Sequence, residues 1–364
     1  MRKVAVLGAG AGGAAAVAEL TAAGHEVSFW GRSAKTLAPF REQGGVAYEG
    51  VLGGGIARPR LITNDLCEAT TAADVVVVSA PSFAHAEIAQ ALAGAGTKDL
   101  PVVLNPGHTG GALEFRQASQ ALGANPPIAE FSTLTYVARK YSPGCVTITG
   151  LAKSVRLSAL PGGETALDAG KALFACANIM PDVLACDLAN VNMVLHVPGA
   201  VLAAAWIEAT HGDFTFYVSG MTPGVARVMR TLDEERRAVA RGFRHELPSL
   251  IAEMRAIGTV QEGAGEDDLA AAIAAGEANR RIKAPDSLAH RYYREDFGHG
   301  LLPFTALASI AGVEVPTAAS LLRIGATLIG ADLTLQGRTA ERMGIAGLDR
   351  PGLLKLVGAN RHGD

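Results

Sequence analysis

The stretch Lys3-Val4-Ala5-Val6-Leu7-Gly8-Ala9-Gly10-Ala11-Gly12-Gly13 decides the fold. Its apolar run Val4–Leu7 reads as a buried parallel strand. The Ala-rich segment Ala14–Ala23, closed by Gly24, reads as a helix with a glycine just past its end. Between them, Gly8, Gly10 and Gly13 fit the pattern G-x-G-x-x-G. Gly8 turns the chain, Gly10 lets the backbone approach a pyrophosphate, and Gly13 lets helix and strand pack closely. The phosphates would then face the free N–H groups and the positive dipole end of the helix. The pattern alone is weak, and its place between a strand and a helix gives it force.

Working outward, Val27–Trp30 reads as a second strand. The glycine-heavy stretch Gly44–Gly55 reads as a hairpin or loop. Asp74–Pro81 reads as another buried strand, stopping at Pro81. Ala84–Leu92 follows as a helix, and Val102–Gly107 repeats the step from strand to turn. Strands alternating with helices imply a parallel α/β sheet. Val155–Leu160 still looks like a strand. Beyond about residue 165 the helical period dominates, with long segments near 186–210, 223–256 and 303–330, and an acidic loop at Glu262–Asp268. The expectation is an α/β chain with an N-terminal Rossmann dinucleotide-binding domain at 1–165 and an all-helical domain at 166–364.

The chain has 364 residues, and its hydrophobic content of 49% against 18% charged supports large cores rather than disorder. The net charge is −3 and no basic run occurs, so nucleic acid is not an expected partner. The four cysteines form no C-x-x-C pair, which argues against a disulfide framework or a structural zinc site. Gly8 and Gly10 cut the first apolar run too short for a secretory segment. The stretch nearest to a membrane span, Val191–Ile207, carries Asn192, His196 and Pro198. These features predict a cytoplasmic protein without a membrane partner, and they are compatible with a homodimer.

The end of the second strand bears on the cofactor. An NAD site usually places Asp or Glu there to accept from the ribose 2′-OH. This chain reads Phe29-Trp30-Gly31-Arg32-Ser33-Ala34-Lys35, with no acid. Arg32 and Lys35 can meet a 2′-phosphate and Ser33 can donate to it. NADPH is therefore the expected cofactor, with NADH as the alternative. Pro81, where the later strand stops, joins the cofactor-binding candidates.

Two clusters offer chemistry. Asn190–Pro198 is an apolar helix carrying Asn192 and His196 on one face. Pro198 cannot donate to the carbonyl of Val194, so a bend beside the histidine is expected. Imidazole gives or takes a proton near neutral pH, although a core histidine satisfied by backbone would look the same. The second cluster, His290–Gly300, mixes charged, aromatic and glycine residues without helical period. Such a loop can hold a carboxylate on Arg291 and orient a histidine with Asp296, or it can be an ordinary polar linker.

Taken together, the motifs resemble the opine dehydrogenase family, the octopine and nopaline dehydrogenase group, over nearly the whole chain. They are GAGAGG at the N-terminus, LNPGHTGGALEF at 104–115, EFSTLTYVAR at 130–139, NVNMVLHVPGAVLAAA at 190–205, RYYREDFGHGLLP at 291–303 and GRTAERMGI at 337–345. The resemblance implies reductive condensation of an amino acid or other amine with a 2-oxo acid, using NAD(P)H. It also implies that His196 is the acid/base, that Asp296 orients it, that Arg291 holds a carboxylate, and that Thr133 and Tyr136 line the substrate cleft beside Asn192. Two departures bear on the substrate. Phe297-Gly298-His299 stands where the family usually has Val-Pro before its glycine, and Phe131-Ser132 stands where a Thr is common.

Two other readings share features with this one. A β-hydroxyacid or ketopantoate-type reductase has the same architecture, but such families carry an early lysine in the helical domain, and 186–200 contains none. A catalytically silent NADP-sensing protein would keep the Rossmann fingerprint without needing the His–Asp pair. Within the opine reading, the motif segments 130–139, 190–205 and 291–300 offer only Glu130, Glu295 and Asp296 as acids. Asp296 is committed to His196, and Glu295 looks exposed. Tyr136, Met193, Leu195, Val197 and Trp206 give a mostly apolar wall, where an unpaired cation is costly. The expected amine is therefore neutral, joined to a small oxo acid such as pyruvate.

Overall fold

The computed structural model describes residues 1–263, 265, 267–277 and 279–359, and the chain divides into two compact units. The first comprises Met1–Gly107 and Gly111–Val183; the second comprises His108–Gly110 and Leu184–Asp364.

The first unit is built on an eight-stranded sheet of β1 (Lys3–Leu7), β2 (Glu26–Trp30), β5 (Leu61–Thr63), β6 (Val75–Val78), β7 (Val102–Leu104), β8 (Ile128–Phe131), β11 (Val155–Ala159) and β12 (Ala177–Ile179). Its order is β12-β11-β8-β7-β6-β1-β2-β5. From β5 to β8 every pair is parallel. This is the doubly wound order that reverses direction between β1 and β6, where such sheets bind ligands. Valines and alanines fill β1 and β6 because both faces of a parallel sheet are covered. The helices are α1 (Ala11–Ala22), α2 (Ala34–Glu42), α3 (Leu66–Thr70), α4 (His85–Gly94), α5 (Gly111–Gln120) and α6 (Glu164–Leu173). As the sequence suggested, α1 ends just before Gly24, which has a φ of +81°.

A second, four-stranded sheet packs on α1. It has the order β4 (Gly55–Ala57), β3 (Val46–Gly50), β10 (Cys145–Leu151), β9 (Tyr136–Ser142). The glycine-heavy stretch is thus a hairpin, β3–β4. The domain boundary expected at 165 moves to 183, because α6 packs on β8 and β11 and β12 extends the sheet by pairing with β11.

The second unit is helical: α7 (Val183–Asp187, its first residue in the first unit), α8 (Val191–Leu202), α9 (Ala204–Thr210), α10 (Pro223–Gly242), α11 (Leu250–Ile257), α12 (Leu269–Ala275), α13 (Arg291–Asp296), α14 (Leu302–Ala311), α15 (Pro316–Ile329), α16 (Leu333–Gln336) and α17 (Arg350–Val357). The three long segments expected from periodicity are each broken. The break falls at Ala203 in the first and at Gly312, φ +70°, in the last. Of the acidic loop Glu262–Asp268, Ala264 and Glu266 lie outside the described residues. The run Val183–Leu202 is long and apolar enough to cross a membrane by composition, yet 94% of its most apolar window is buried inside the protein, as in a core helix.

Candidate functional site

At the dinucleotide loop each glycine has a measurable reason. A Cβ on Gly13 would stand 1.7 Å from the carbonyl oxygen of Gly8, so helix and strand meet at a distance only glycine permits. Gly8 has φ +124°, and its Cβ would stand 2.4 Å from the carbonyl of Ser79 at the end of β6. Gly10 caps α1 with no side chain, and a Cβ there would meet nothing within 4 Å. An open space over uncapped helical N–H groups suits a pyrophosphate. The Ser79 hydroxyl, buried beside Gly8, has no hydrogen-bond partner among the described residues. An open cradle and an orphaned hydroxyl at the switch point fit a dinucleotide. Pro81 follows at once and opens a short 3-10 turn, Ser82–Ala84.

The adenosine end carries a surprise. A Cβ on Gly31 would lie 2.8 Å from the methyl of Ala9, so the position where NAD sites hold their acid has no room for one. Arg32 is present and exposed, but its guanidinium pairs with Glu87 on α4 at 2.8 Å. Ser33 caps α2, accepting from the Thr36 N–H at 3.3 Å, and Lys35 lies exposed in the first turn of that helix.

In the second unit, α8 presents His196, which is only 7% exposed. Its Nδ1 lies 2.9 Å from Asp296 Oδ2 and its Nε2 lies 2.7 Å from the Tyr217 hydroxyl. A carboxylate only accepts, so Nδ1–H donates to Asp296 and Nε2 is left to accept from Tyr217. The imidazole stacks on Tyr292 at 4.0 Å between centroids and 15° between planes. The Tyr217 and Tyr292 hydroxyls are 3.3 Å apart. His290 meets Tyr292 edge-on, and burial, then Arg291, pushes its pKa down to about 4.

Asp296 ends α13, and the chain continues as a π-helical turn, Phe297–Leu301. The supposed loop is therefore helical. Its wider turn and its glycines hide the 3.6-residue period, and π-turns concentrate at functional sites. Gly300 lets the turn approach α8, because its Cβ would lie 3.1 Å from that of Met193. Behind it, the buried Arg338 donates its backbone N–H to Gly298 and its guanidinium to the Thr109 carbonyl. Thr109 in turn receives the Asn190 amide and donates to the Asp187 carbonyl, while the Gly110 N–H donates to the Asp187 carboxylate at 2.7 Å. His108, with φ +61°, lies 3.7 Å from Glu295, and burial lowers its pKa.

The remaining candidates divide. Arg291 is half exposed, stacks on Tyr292 and donates to Glu295 at 2.7 Å. Glu295 is buried rather than exposed, since it lies on the inner face of α13. The half-buried Asn192 has no side-chain hydrogen bond among the described residues. Thr133 is buried in the turn between β8 and β9. Tyr136 is a correction: β9 turns it inward onto α1, where its hydroxyl donates to Glu19 at 2.6 Å in the core of the first unit. Glu130 is likewise structural, accepting the Ala112 N–H in the first turn of α5. Sequence reasoning missed Tyr217. The aromatic run Phe214-Thr215-Phe216-Tyr217 was its only signal.

A Rossmann cradle in one unit and a buried imidazole clamped between acid and phenol in the other define a nicotinamide-dependent oxidoreductase. Residues 4–158 match the ketopantoate reductase PanE/ApbA family, and residues 179–329 match the NAD/NADP octopine/nopaline dehydrogenase, alpha-helical domain. The opine dehydrogenase of Arthrobacter sp. (strain 1C) is 33% identical over 97% of this chain and 98% of its own. Octopine dehydrogenase, solved with NADH and agmatine, superposes with a TM-score of 0.74 at 21% identity over 100% of both chains. Yersinopine dehydrogenase with NADP+ bound gives 0.72 at 15% identity over 94% of this chain and 97% of its own. The chain belongs to the opine dehydrogenase family. It is an NAD(P)-dependent oxidoreductase acting on CH–NH bonds of small molecules.

Proposed function

We propose that this protein is an NADPH-dependent opine dehydrogenase that joins a neutral, apolar amino acid or amine to a small 2-oxo acid such as pyruvate and reduces the resulting imine to a secondary amine. One observation carries the reading: His196 is buried with both ring nitrogens engaged, by Asp296 and by Tyr217. Asp296 fixes the tautomer and stabilises the imidazolium when Nε2 takes a proton. Tyr217 is the group through which that proton reaches or leaves the imidazole. As the imine forms, the chain supplies a proton to the departing hydroxyl, which leaves as water; in the reverse direction it takes that proton back from the water that adds to the imine. The nicotinamide, when bound, supplies hydride to the imine carbon.

Arg291 keeps half its surface open after pairing with Glu295, enough to hold the oxo acid's carboxylate. Octopine dehydrogenase has been seen with pyruvate and with L-arginine, which supports a pairing of oxo acid with amine. We read the amine here as different, because the three acids of the motif segments already have partners. Glu295 takes Arg291, Asp296 takes His196, and Glu130 takes a helix N–H.

The test is NADPH oxidation with pyruvate fixed and the amine varied, with product mass as a second readout. Leucine, norvaline or phenylalanine should give higher kcat/KM than arginine or lysine. Superior arginine or lysine would overturn the neutral-amine reading. Oxidation by 2-oxo acid alone would point to a hydroxyacid reductase, and tight NADPH binding with no turnover to a sensor.

A further inference from the structure

We propose that Lys140, on β9 of the second sheet, is the residue that selects for the adenosine 2′-phosphate. The proposal rests on the reading of this chain as an NADPH enzyme. The Lys140 ammonium donates to the carbonyl of Ala9 at 3.4 Å, inside the glycine fingerprint, and lies 4.6 Å from the centre of the Phe40 ring on α2. Ala9 abuts Gly31, the last turn before Arg32, so Lys140 is placed at the ribose end of the cradle rather than on the open surface. No carboxylate lies within ion-pair distance of it among the described residues. A half-buried ammonium held only by a carbonyl and a ring face is under-compensated, and burial lowers its pKa. A dianionic phosphate would supply the missing charge.

The cations read from sequence are worse placed for this task. Arg32 already has Glu87 as its partner, so a phosphate must displace a carboxylate to use it. Lys35 is exposed, where solvent weakens a charge pair. Lys140 is also invisible to the usual fingerprint rule, because it arrives from a strand more than a hundred residues beyond the glycines.

Calorimetric titration of the apoenzyme with NADPH, NADH, 2′,5′-ADP and ADP decides it. Lys140→Met keeps an unbranched side chain of similar length and removes the charge. It should weaken NADPH and 2′,5′-ADP by about tenfold, the worth of one charge-assisted contact, with NADH and ADP unchanged. Lys140→Arg should restore most of the NADPH affinity. Equal weakening of both cofactors would assign Lys140 to the pyrophosphate or to packing and overturn the proposal, as would an unchanged NADPH affinity. A wild-type enzyme that binds NADH more tightly than NADPH would refute the NADPH reading. The change in the NADPH-to-NADH ratio on Lys140→Met would still judge Lys140.

Discussion

The two units make their sites from different materials. In the first, the cradle is made of backbone: three glycines of one short loop, Gly8 and Gly13 because a neighbouring carbonyl leaves no place for a Cβ, and Gly10 because it keeps the space over the helix N-terminus open. In the second, the site is made of side chains from separate helices, with His196 and Asp296 lying 100 residues apart. A backbone site is local, and at Gly8 and Gly13 it leaves no room for substitution. A side-chain site is dispersed, and its members can be removed one at a time without collapse. The difference lies at the level of packing, and it sets what each mutation should report.

His196→Ala should break the comparison hardest. Its kcat should fall by roughly 10²–10⁴-fold, the usual worth of a positioned acid or base, while NADPH affinity stays intact. Stopped-flow turnover beside calorimetric titration checks both halves, and retention of a third of the activity would sink the assignment. Gly13→Ala should do the opposite. A Cβ driven against the Gly8 carbonyl should cost about 1–3 kcal/mol through overpacking, read as a lower Tm together with weakened cofactor binding. An unchanged Tm would show that the loop relaxes at no cost.

Tyr217→Phe sharpens the second half. It keeps the ring and removes the hydroxyl on Nε2. We expect kcat to drop about tenfold, for the loss of one buried hydrogen bond, and the pH profile of kcat to move while KM for pyruvate holds. A change confined to KM would make Tyr217 a binding wall instead.

The smallest effect concerns stability and pH. Half-buried His290 has its pKa lowered from 6.5 to about 4, so between those values the unfolded chain binds more protons than the folded one. Stability should therefore fall as pH drops from about 6.5 toward 4, and should be independent of this group above that window. His290→Gln should flatten the acid limb of a Tm-against-pH curve. An identical limb would show that other groups govern it, His108 being the next candidate because burial lowers it as well.

The same contrast explains what the sequence disclosed. The parallel strands β1, β2, β6 and β7 were legible because buried strands between helices leave unmistakable apolar runs. The hairpin β9–β10 was not, because its register shifts at two points, between Cys145 and Thr147 and between Ile148 and Gly150, and breaks the alternation. That gap had a consequence: Tyr136 was assigned to the cleft when its strand turns it inward, and Lys140 went unnoticed. His196 and Asp296 stood out by residue type, but it was motif resemblance that joined the two clusters, since neither spacing nor period pairs residues 100 positions apart. Glu295 could have been placed from its i, i+4 relation to Arg291, had the segment been recognised as helical.

One feature of the connectivity sets how these halves can be taken apart. The chain visits the helical unit for three residues, His108–Gly110, seventy-odd positions before it enters for good. Two of them, Thr109 and Gly110, supply hydrogen-bond partners to the buried Arg338, to the Asp187 carboxylate and to the Asn190 amide. A single cut near residue 183 therefore cannot release a complete catalytic half. The fragment 184–364 would lose the Thr109 carbonyl that the buried Arg338 guanidinium donates to, and removing an acceptor from a buried charged donor is costly. Exchanging catalytic halves between relatives requires transplanting this tripeptide with them, so the unit of inheritance is the threaded pair rather than either domain.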